Sequence, residues 1–281
     1  MEKFYIISDG EKDFGHETAE EIKRYLENHE KYAKIVGHSS EIEEKNWADM
    51  AIVLGGDGSV IQAAKQFAGM DVPVLGVNFG TLGFLTEVEK PRIREAMEAI
   101  LKGCYEVENR MALTARVRKK TEKEVRGFAV NEFIVGKQDF GRMITASVYV
   151  DNFLMDTYVA DGVLVSTPTG STAYNLSAAG PVLAPGMEAM IITPICPHSL
   201  NKRSLVVSSA SKLRIEIGRT KENYEDEASV RGDGQVLFSV STGDTVYIEK
   251  AEATFDMVRL GDVSFFDKMR SKLNRNDGGK E

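Results

Sequence analysis

Ala51-Ile52-Val53-Leu54-Gly55-Gly56-Asp57-Gly58-Ser59-Val60-Ile61-Gln62-Ala63-Ala64 is the stretch on which the fold turns. Its first four residues are apolar without alternation, which predicts a strand covered on both faces. A glycine-rich turn follows. Val60, Ala63, Ala64 and Phe67 then recur at helical spacing and predict a helix over about 59–67. Strand, glycine loop and helix in this order form the unit of an open α/β sheet, which binds ligands at the carboxyl ends of its strands.

The same alternation extends outward on both sides. Phe4 to Ile7 reads as a strand, and 17–28 as a helix with Ala19, Ile22, Tyr25 and Leu26 on one face. Residues 33–36 and 72–77 read as further strands. Pro91 opens and Gly103 closes a helix whose core face is Ile93, Met97, Ile100 and Leu101. This order predicts an α/β domain with an open, mostly parallel sheet. From about Met111 short β-rich runs take over, at 112–117, 128–135, 144–150, 154–158, 163–166, 204–207, 213–217, 236–240, 245–249 and 253–258. They predict an all-β, sandwich-like domain, with helical periodicity confined to 171–183. Residues 265–273 read as a C-terminal helix packing back on the first domain, and 274–281 as a frayed tail. The expected division is an α/β domain over 1–104, a β domain over 105–260 and a returning helical segment over 261–281.

Composition narrows the function. The chain has 281 residues and a formal net charge of -8, with a pI near 5.3. Nucleic-acid binding wants a basic face and is not expected. A local phosphate site is still allowed, because backbone dipoles and a few arginines can hold an anion on an acidic protein. Cys104 and Cys196 form neither a metal spacing nor a disulfide framework, and the four histidines are scattered. No run of about 18 apolar residues occurs, and the N-terminal apolar stretch is too short for a signal peptide. A soluble, cytoplasmic protein without a membrane partner is expected.

Four segments could carry chemistry. Gly55, Gly56 and Gly58 can form a phosphate loop, in which glycine allows unusual backbone angles and close approach. An acidic residue inside such a loop repels phosphate, so Asp57 makes sense facing a hydroxyl, as orienter or proton acceptor. The alternative is a tight turn with Asp57 as an N-cap. Asn78-Phe79-Gly80-Thr81-Leu82-Gly83-Phe84-Leu85 is a second glycine-bearing loop, or a bend closed by the plug Phe84 and Leu85. Asn131-Glu132 interrupts an apolar run. It reads either as an exposed edge or bulge, or as a pair that binds ribose hydroxyls. Thr167 to Ser177 holds five hydroxyls, an amide and a tyrosine in eleven residues. That suits a capped helix start, or a loop that reads an adenine edge with Tyr174 stacked on the ring. Neither a P-loop nor a G-x-G-x-x-G fingerprint is present.

Taken together, G-G-D-G at 55–58, N-F-G-T-L-G-F-L at 78–85, N-E at 131–132, A-D-G-V at 160–163, S-T-P-T-G-S-T-A-Y at 166–174 and D-G-Q at 233–235 resemble the NAD kinase family in order and spacing. The resemblance implies transfer of the γ-phosphoryl of ATP to the 2′-hydroxyl of the adenosine ribose of NAD, giving NADP. It implies Asp57 as the acid-base residue, with Gly58 and Phe79 in the dinucleotide site. Asn131 and Glu132 match the adenosine-contacting pair. Arg142 falls where relatives carry a basic or polar residue, and Asp161 matches the aspartate after the central strands. Thr172, Ala173, Tyr174, Asn175, Leu176 and Ser177 match the loop around adenine and ribose, and Gln235 faces the ligand. Val159 departs from relatives that carry a basic residue there, and Cys196 falls in a segment that can line the nicotinamide side. A divalent cation, Mg²⁺, is implied through the ATP phosphates, with no protein-only metal site. Self-association as a homodimer or homotetramer is implied as well. A lipid kinase of the diacylglycerol type shares G-G-D-G, and a catalytically silent NAD sensor is the other alternative. Neither explains S-T-P-T-G-S-T-A-Y and Asp57 together as well.

Overall fold

The structure, a computed structural model, describes residues 1–8, 13–80, 83–118, 125–138, 142–199, 201–222, 225–261 and 263–274. Most of the tail expected to fray, 275–281, lies outside the described residues, as do Thr81 and Leu82 of the second glycine loop. The chain forms two compact units, Met1–Arg110 with Thr254–Glu281, and Met111–Ala253.

The first unit is built on the strand that the sequence marks most clearly. Met50–Gly55 is buried at each position and lies between two parallel neighbours, Lys3–Ser8 and Val74–Asn78. Tyr32–Val36 pairs parallel on the far side of Lys3–Ser8. The chain therefore leaves the first strand in one direction, returns, and continues in the other. That reversal creates a crevice at the carboxyl ends of Lys3–Ser8 and Met50–Gly55, the place where open α/β sheets bind ligands. Side chains alternate between the faces. Phe4, Ile6, Met50, Ile52 and Leu54 join Ile22 and Leu26 of the helix Glu17–Glu27 and Met97 and Ile100 of the helix Ile93–Leu101. Asp57–Phe67 buries Val60, Ala63, Ala64 and Phe67, and the Phe67 ring lies 6.3 Å from Tyr5, which alternates with Phe4 and Ile6.

Segments 105–110 and 254–260, read from sequence with the β domain, contribute Glu106–Arg110 and Phe255–Arg259 to the sheet of the first unit. These two strands are antiparallel to each other, and Met257 pairs parallel with Val74. Their pairing partners, not their composition, assign them. The C-terminal helix Phe265–Asn274 belongs to this unit too, as expected.

The second unit is a sandwich of two six-stranded antiparallel sheets. Its core takes Leu113, Ala115, Val148, Ile215 and Ile248 from one sheet and Phe133, Val135, Val163, Val165, Ile192 and Val230 from the other. The apolar run 128–135 is two strands, Val125–Ala129 and Glu132–Lys137, which lie in different sheets. Val130 and Asn131 form the crossing. Ala189–Ile195 and Glu227–Gly232 are additional strands, both central in their sheet. The helix expected over 171–183 is reduced to a 3₁₀ turn at Thr169–Thr172 and one helical turn at Tyr174–Ser177.

Candidate functional site

The two units each carry a carboxylate that gathers three consecutive backbone amides from a distant loop. In the first unit that carboxylate is Asp57. Its Oδ2 accepts from Phe84 N at 2.8 Å, and its Oδ1 accepts from Leu85 N at 3.1 Å and Thr86 N at 3.3 Å. Asp57 is the first residue of its helix and Gly56 occupies the cap position, so the N-cap alternative is corrected. The negative charge at that helix start suits the dipole.

The glycines around Asp57 have different reasons to be glycine. A Cβ on Gly55 would lie 2.6 Å from Ser59 Oγ, so close packing excludes one. A Cβ on Gly56 or Gly58 would meet nothing within 4 Å, and neither residue has positive φ. The expectation of unusual backbone angles is therefore corrected. Glycine at 58 costs about 0.5–1 kcal/mol against alanine inside a helix, and nothing within the fold requires it. Bare backbone beside a helix start, whose first amides have no intrahelical partner, is a place for a ligand to approach.

The second glycine loop shapes Asp57. Asn78 exchanges hydrogen bonds with Gly80, donating from Nδ2 at 2.7 Å and accepting at Oδ1 at 3.1 Å. Phe79 is half-buried against the core, with Lys90 Nζ 5.0 Å from its ring centre. Leu85 is buried, as the plug reading expected. A Cβ on Gly83 would fall 1.7 Å from Asp57 Oδ1. Gly83→Ala is therefore expected to fold with a loss of about 1–3 kcal/mol but to push Asp57 off its three amides. Thermal melts and turnover measured together check this, since turnover should fall far more than stability.

In the second unit the carboxylate is Asp233. It accepts from Val130 N at 2.9 Å, Asn131 N at 2.7 Å and Glu132 N at 3.3 Å. Asp233 and Gly234 both have positive φ, 48° and 81°, and form the two-residue hairpin turn of D-G-Q. Gln235 is exposed directly after it. The turn at 130–132 is thus held by a hairpin tip 102 positions away from Asn131.

This turn presents two buried acceptors that lack a partner among the described residues, Asn131 Oδ1 and Glu132 Oε2. Both side chains are buried, so the exposed-edge reading of Asn131-Glu132 is corrected. Burial, with Asp233 adding repulsion, pushes the Glu132 carboxyl up to about 8. A protonated carboxyl whose Oε2 has no partner among the described residues, beside an amide oxygen that has none there either, is a site that can exchange hydrogen bonds with hydroxyls.

Glu132, Ile134 and Gly136 share the sheet face opposite the sandwich core. Across the ladder, Arg231 is the partner of Ile134 and Ser229 of Gly136. There Ile134, Gly136, Ser229 and Arg231, with Lys137, Asp161 and Tyr174, line a cleft of about 270 Å³. Lys137 Nζ pairs with Asp161 Oδ1 at 2.7 Å. Ser229 Oγ and Arg231 Nε are buried without a partner among the described residues. Lys137, Ser229 and Arg231 were not singled out by the sequence, and Asp233 was marked only as part of D-G-Q, without a role. Alternation along Glu227–Gly232, once that strand is known, is the signal that finds Ser229 and Arg231, and the hairpin turn after it is the one that finds Asp233.

The hydroxyl-rich segment packs onto the same turn. Thr167 Oγ1 donates to Val130 O at 2.8 Å, and Thr167 N donates to Asn131 O at 2.9 Å. A Cβ on Gly170 would lie 2.2 Å from Asn131 O. Ser171 Oγ donates to Pro168 O at 2.6 Å and accepts from Leu183 N at 3.0 Å. Asn175 is fully buried, donating to Ser171 O and Pro181 O and accepting from Thr193 Oγ1. Much of the hydroxyl density is thus spent locking the loop. Tyr174, Leu176 and Ser177 are exposed, and Thr172 and Ala173 half-exposed. Arg142 is exposed outside the cleft, and Cys104 and Cys196 are free thiols. Among the described residues, no three His, Cys, Asp or Glu gather around a metal position, and no helix is long and apolar enough to cross a membrane.

The chain resembles known proteins along nearly its whole length. Residues 4–105 match the model of the ATP-NAD kinase N-terminal domain, and residues 130–260 match that of the ATP-NAD kinase C-terminal domain. The chain is 38% identical over 284 residues to a protein named NAD kinase from Lachnoclostridium phytofermentans, covering 97% of this chain and 99% of that one. It is 37% identical over 289 residues to the NAD kinase of Moorella thermoacetica, covering 99% and 91%. An NAD kinase from Archaeoglobus fulgidus, solved in complex with ATP, superposes with a TM-score of 0.77 at 28% identity over 98% of this chain and 99% of that one. The fold is shared with yeast NADH kinase, solved with NADH, at a TM-score of 0.79 and 24% identity over 100% and 89%.

Proposed function

The chain belongs to the ATP-NAD kinase family, a phosphotransferase family using ATP and NAD, and we propose on that premise how its own residues divide the work. The reaction is transfer of the γ-phosphoryl of ATP to the 2′-hydroxyl of the adenosine ribose of NAD, with NADP as product. The observation that carries this reading is the pair of buried acceptors at Asn131 and Glu132 that have no partner among the described residues. A ribose supplies the hydroxyl donors they lack.

Asp57 orients the reacting hydroxyl. Each carboxylate oxygen can accept about two hydrogen bonds. Oδ1 has two amides and Oδ2 has one, which leaves Oδ2 able to accept the hydroxyl proton. Carboxylates are poor bases for a hydroxyl, with an ordinary pKa of about 4. In a loose phosphoryl transition state little early deprotonation is needed. Asp57 therefore acts first by position and takes the proton late. Most of the acceleration comes from positioning and from charge stabilisation by loop amides. The bare backbone at Gly56 and Gly58 supports a phosphate position at the helix start.

Mg²⁺ suits this donor set only as a companion of the ATP phosphates, because Asp57 is occupied by amides and no carboxylate cluster forms among the described residues. It would neutralise phosphate charge there. Tyr174 and the cleft with Asp161 and Arg231 provide the surface for the rest of the dinucleotide. Self-association as a homodimer or homotetramer is supported by apolar side chains on edge strands, among them Phe153, 80% exposed, and Val236, 59% exposed. Two free cysteines fit a cytoplasmic, reducing setting.

The test is an incubation of the protein with ATP·Mg²⁺ and either NAD or a diacylglycerol emulsion. NADP is the expected product, with no phospholipid. NAD bound tightly and recovered unchanged would overturn the enzymatic reading in favour of a sensor.

A further inference from the structure

The C-terminal helix Phe265–Asn274 presents three side chains to the loop that holds Asp57. Phe265 packs with its ring 6.2 Å from that of Phe84. Lys272 Nζ sits 4.5 Å from the centre of the Phe84 ring. Lys268 Nζ donates to Thr86 O at 2.7 Å and pairs with Glu87 at 3.0 Å. Residues 265, 268 and 272 lie on one helix face.

Lys268 is the unexpected member, with a side chain only 2% exposed. A buried ion pair is weak evidence of stabilisation, because desolvation offsets the attraction. Glu87 does not need this lysine as a counter-charge. It already accepts from Arg259 Nη1 at 2.6 Å and Leu260 N at 3.1 Å. What Lys268 alone supplies, among the described residues, is the donor to Thr86 O. Thr86 in turn uses each of its polar arms. Its amide donates to Asp57 Oδ1, its hydroxyl accepts from Gly83 N at 3.0 Å, and its carbonyl takes Lys268.

We infer that Lys268 is a positioning residue for phosphoryl transfer, fixing the 84–86 turn whose amides aim the Asp57 carboxylate. This rests on the role proposed for Asp57. Removing the ammonium leaves the buried Thr86 carbonyl without that donor, and the turn can rotate without unfolding the sheet. A shift of about 1 Å at a reacting group can cost about 10²-fold in rate.

The experiment is a double-mutant cycle of Lys268→Met with Asp57→Asn on the full chain, read as kcat and KM for NAD, with thermal melts as a folding control. Lys268→Met alone is expected to lower kcat by about 10²-fold with KM for NAD little changed, and Lys268→Arg, which keeps charge and donor, to recover most of it. In the Asp57→Asn background, Lys268→Met is expected to add almost nothing. Wild-type kcat in a folded Lys268→Met protein overturns the inference. So does an equal loss in both backgrounds, which marks a merely structural role. If Lys268→Met does not fold, Lys268→Leu carries the same cycle, with Lys268→Arg again as the variant that recovers kcat. Failure of the Asp57 reading looks different, since the Asp57→Asn single variant would itself keep its turnover.

Discussion

Asp57→Asn is expected to lower kcat by about 10²–10⁴-fold while leaving NAD affinity nearly unchanged. The asparagine can keep its oxygen where Oδ1 accepts Leu85 N and Thr86 N. Its NH₂ group then occupies the Oδ2 position, where it opposes the Phe84 amide, donor against donor. It can still touch a ribose hydroxyl, but as a donor, and it cannot take the proton. The stability cost of the lost bond is about 1–3 kcal/mol, so melts must accompany the kinetics. On the reading proposed above, NAD is held by Asn131 and Glu132 of the second unit, so binding should persist in a titration. A folded variant with near wild-type turnover would sink the role of Asp57.

Glu132→Gln is the second large effect, and its sign depends on pH. In the ligand-free fold Glu132 keeps its proton up to about pH 8, because burial and Asp233 oppose ionisation. In the unfolded chain a glutamate loses its proton near 4.3. Between those values the folded state carries the extra proton, so rising pH erodes stability across that window. Above about pH 8 the loss is complete, and below about pH 4 it is absent. The wild type should therefore lose on the order of 3–5 kcal/mol relative to Glu132→Gln between pH 4 and 8, read as diverging melting curves. The same residue links binding to protons. Hydroxyls donating to the carboxylate favour its charged form. NAD binding at pH 7 should therefore release a proton and tighten as pH rises toward 8. Calorimetry in two buffers of different ionisation enthalpy reads the proton directly. Parallel melting curves, or binding without proton release, would overturn this account.

Much of the first unit was legible because each of its signals is local. Ala51 to Leu54 is uniformly apolar because its strand is central, and the spacing of Val60, Ala63, Ala64 and Phe67 is a helix face against that sheet. The C-terminal helix was legible for the same reason. Strand pairing is not local, and there the reading was less complete. Val130 and Asn131 look like the middle of one strand but are the crossing between two sheets, held there by Asp233. Ala189–Ile195 carries Pro194, which speaks against a strand. It is tolerated where residues 193–195 pair on one side with 162–164, while Leu205–Ser208 covers only 189–192 on the other. In the site, Asn131 and Glu132 stood out as polar residues in an apolar run. The hydroxyls of 167–177 stood out too, but their density proved to reflect loop closure as much as recognition. Ser229 and Arg231 carry no local signal at all, because only the register across from Gly136 and Ile134 gives them a role.

The two carboxylate clamps also order events during synthesis. Asp57 reaches a loop 27 to 29 positions later, and the turn at Asn131 waits for a residue 102 positions later. Lys268 reaches back 182 positions to Thr86. A nascent chain that stops before residue 233 has its Asn131-Glu132 turn without the aspartate that shapes it. One that stops before 268 has Thr86 without its lysine. The sheets themselves need strands as late as Phe255–Arg259, so the lysine clasp closes only after the last strand is made, and a truncated product is disarmed by its own incompleteness.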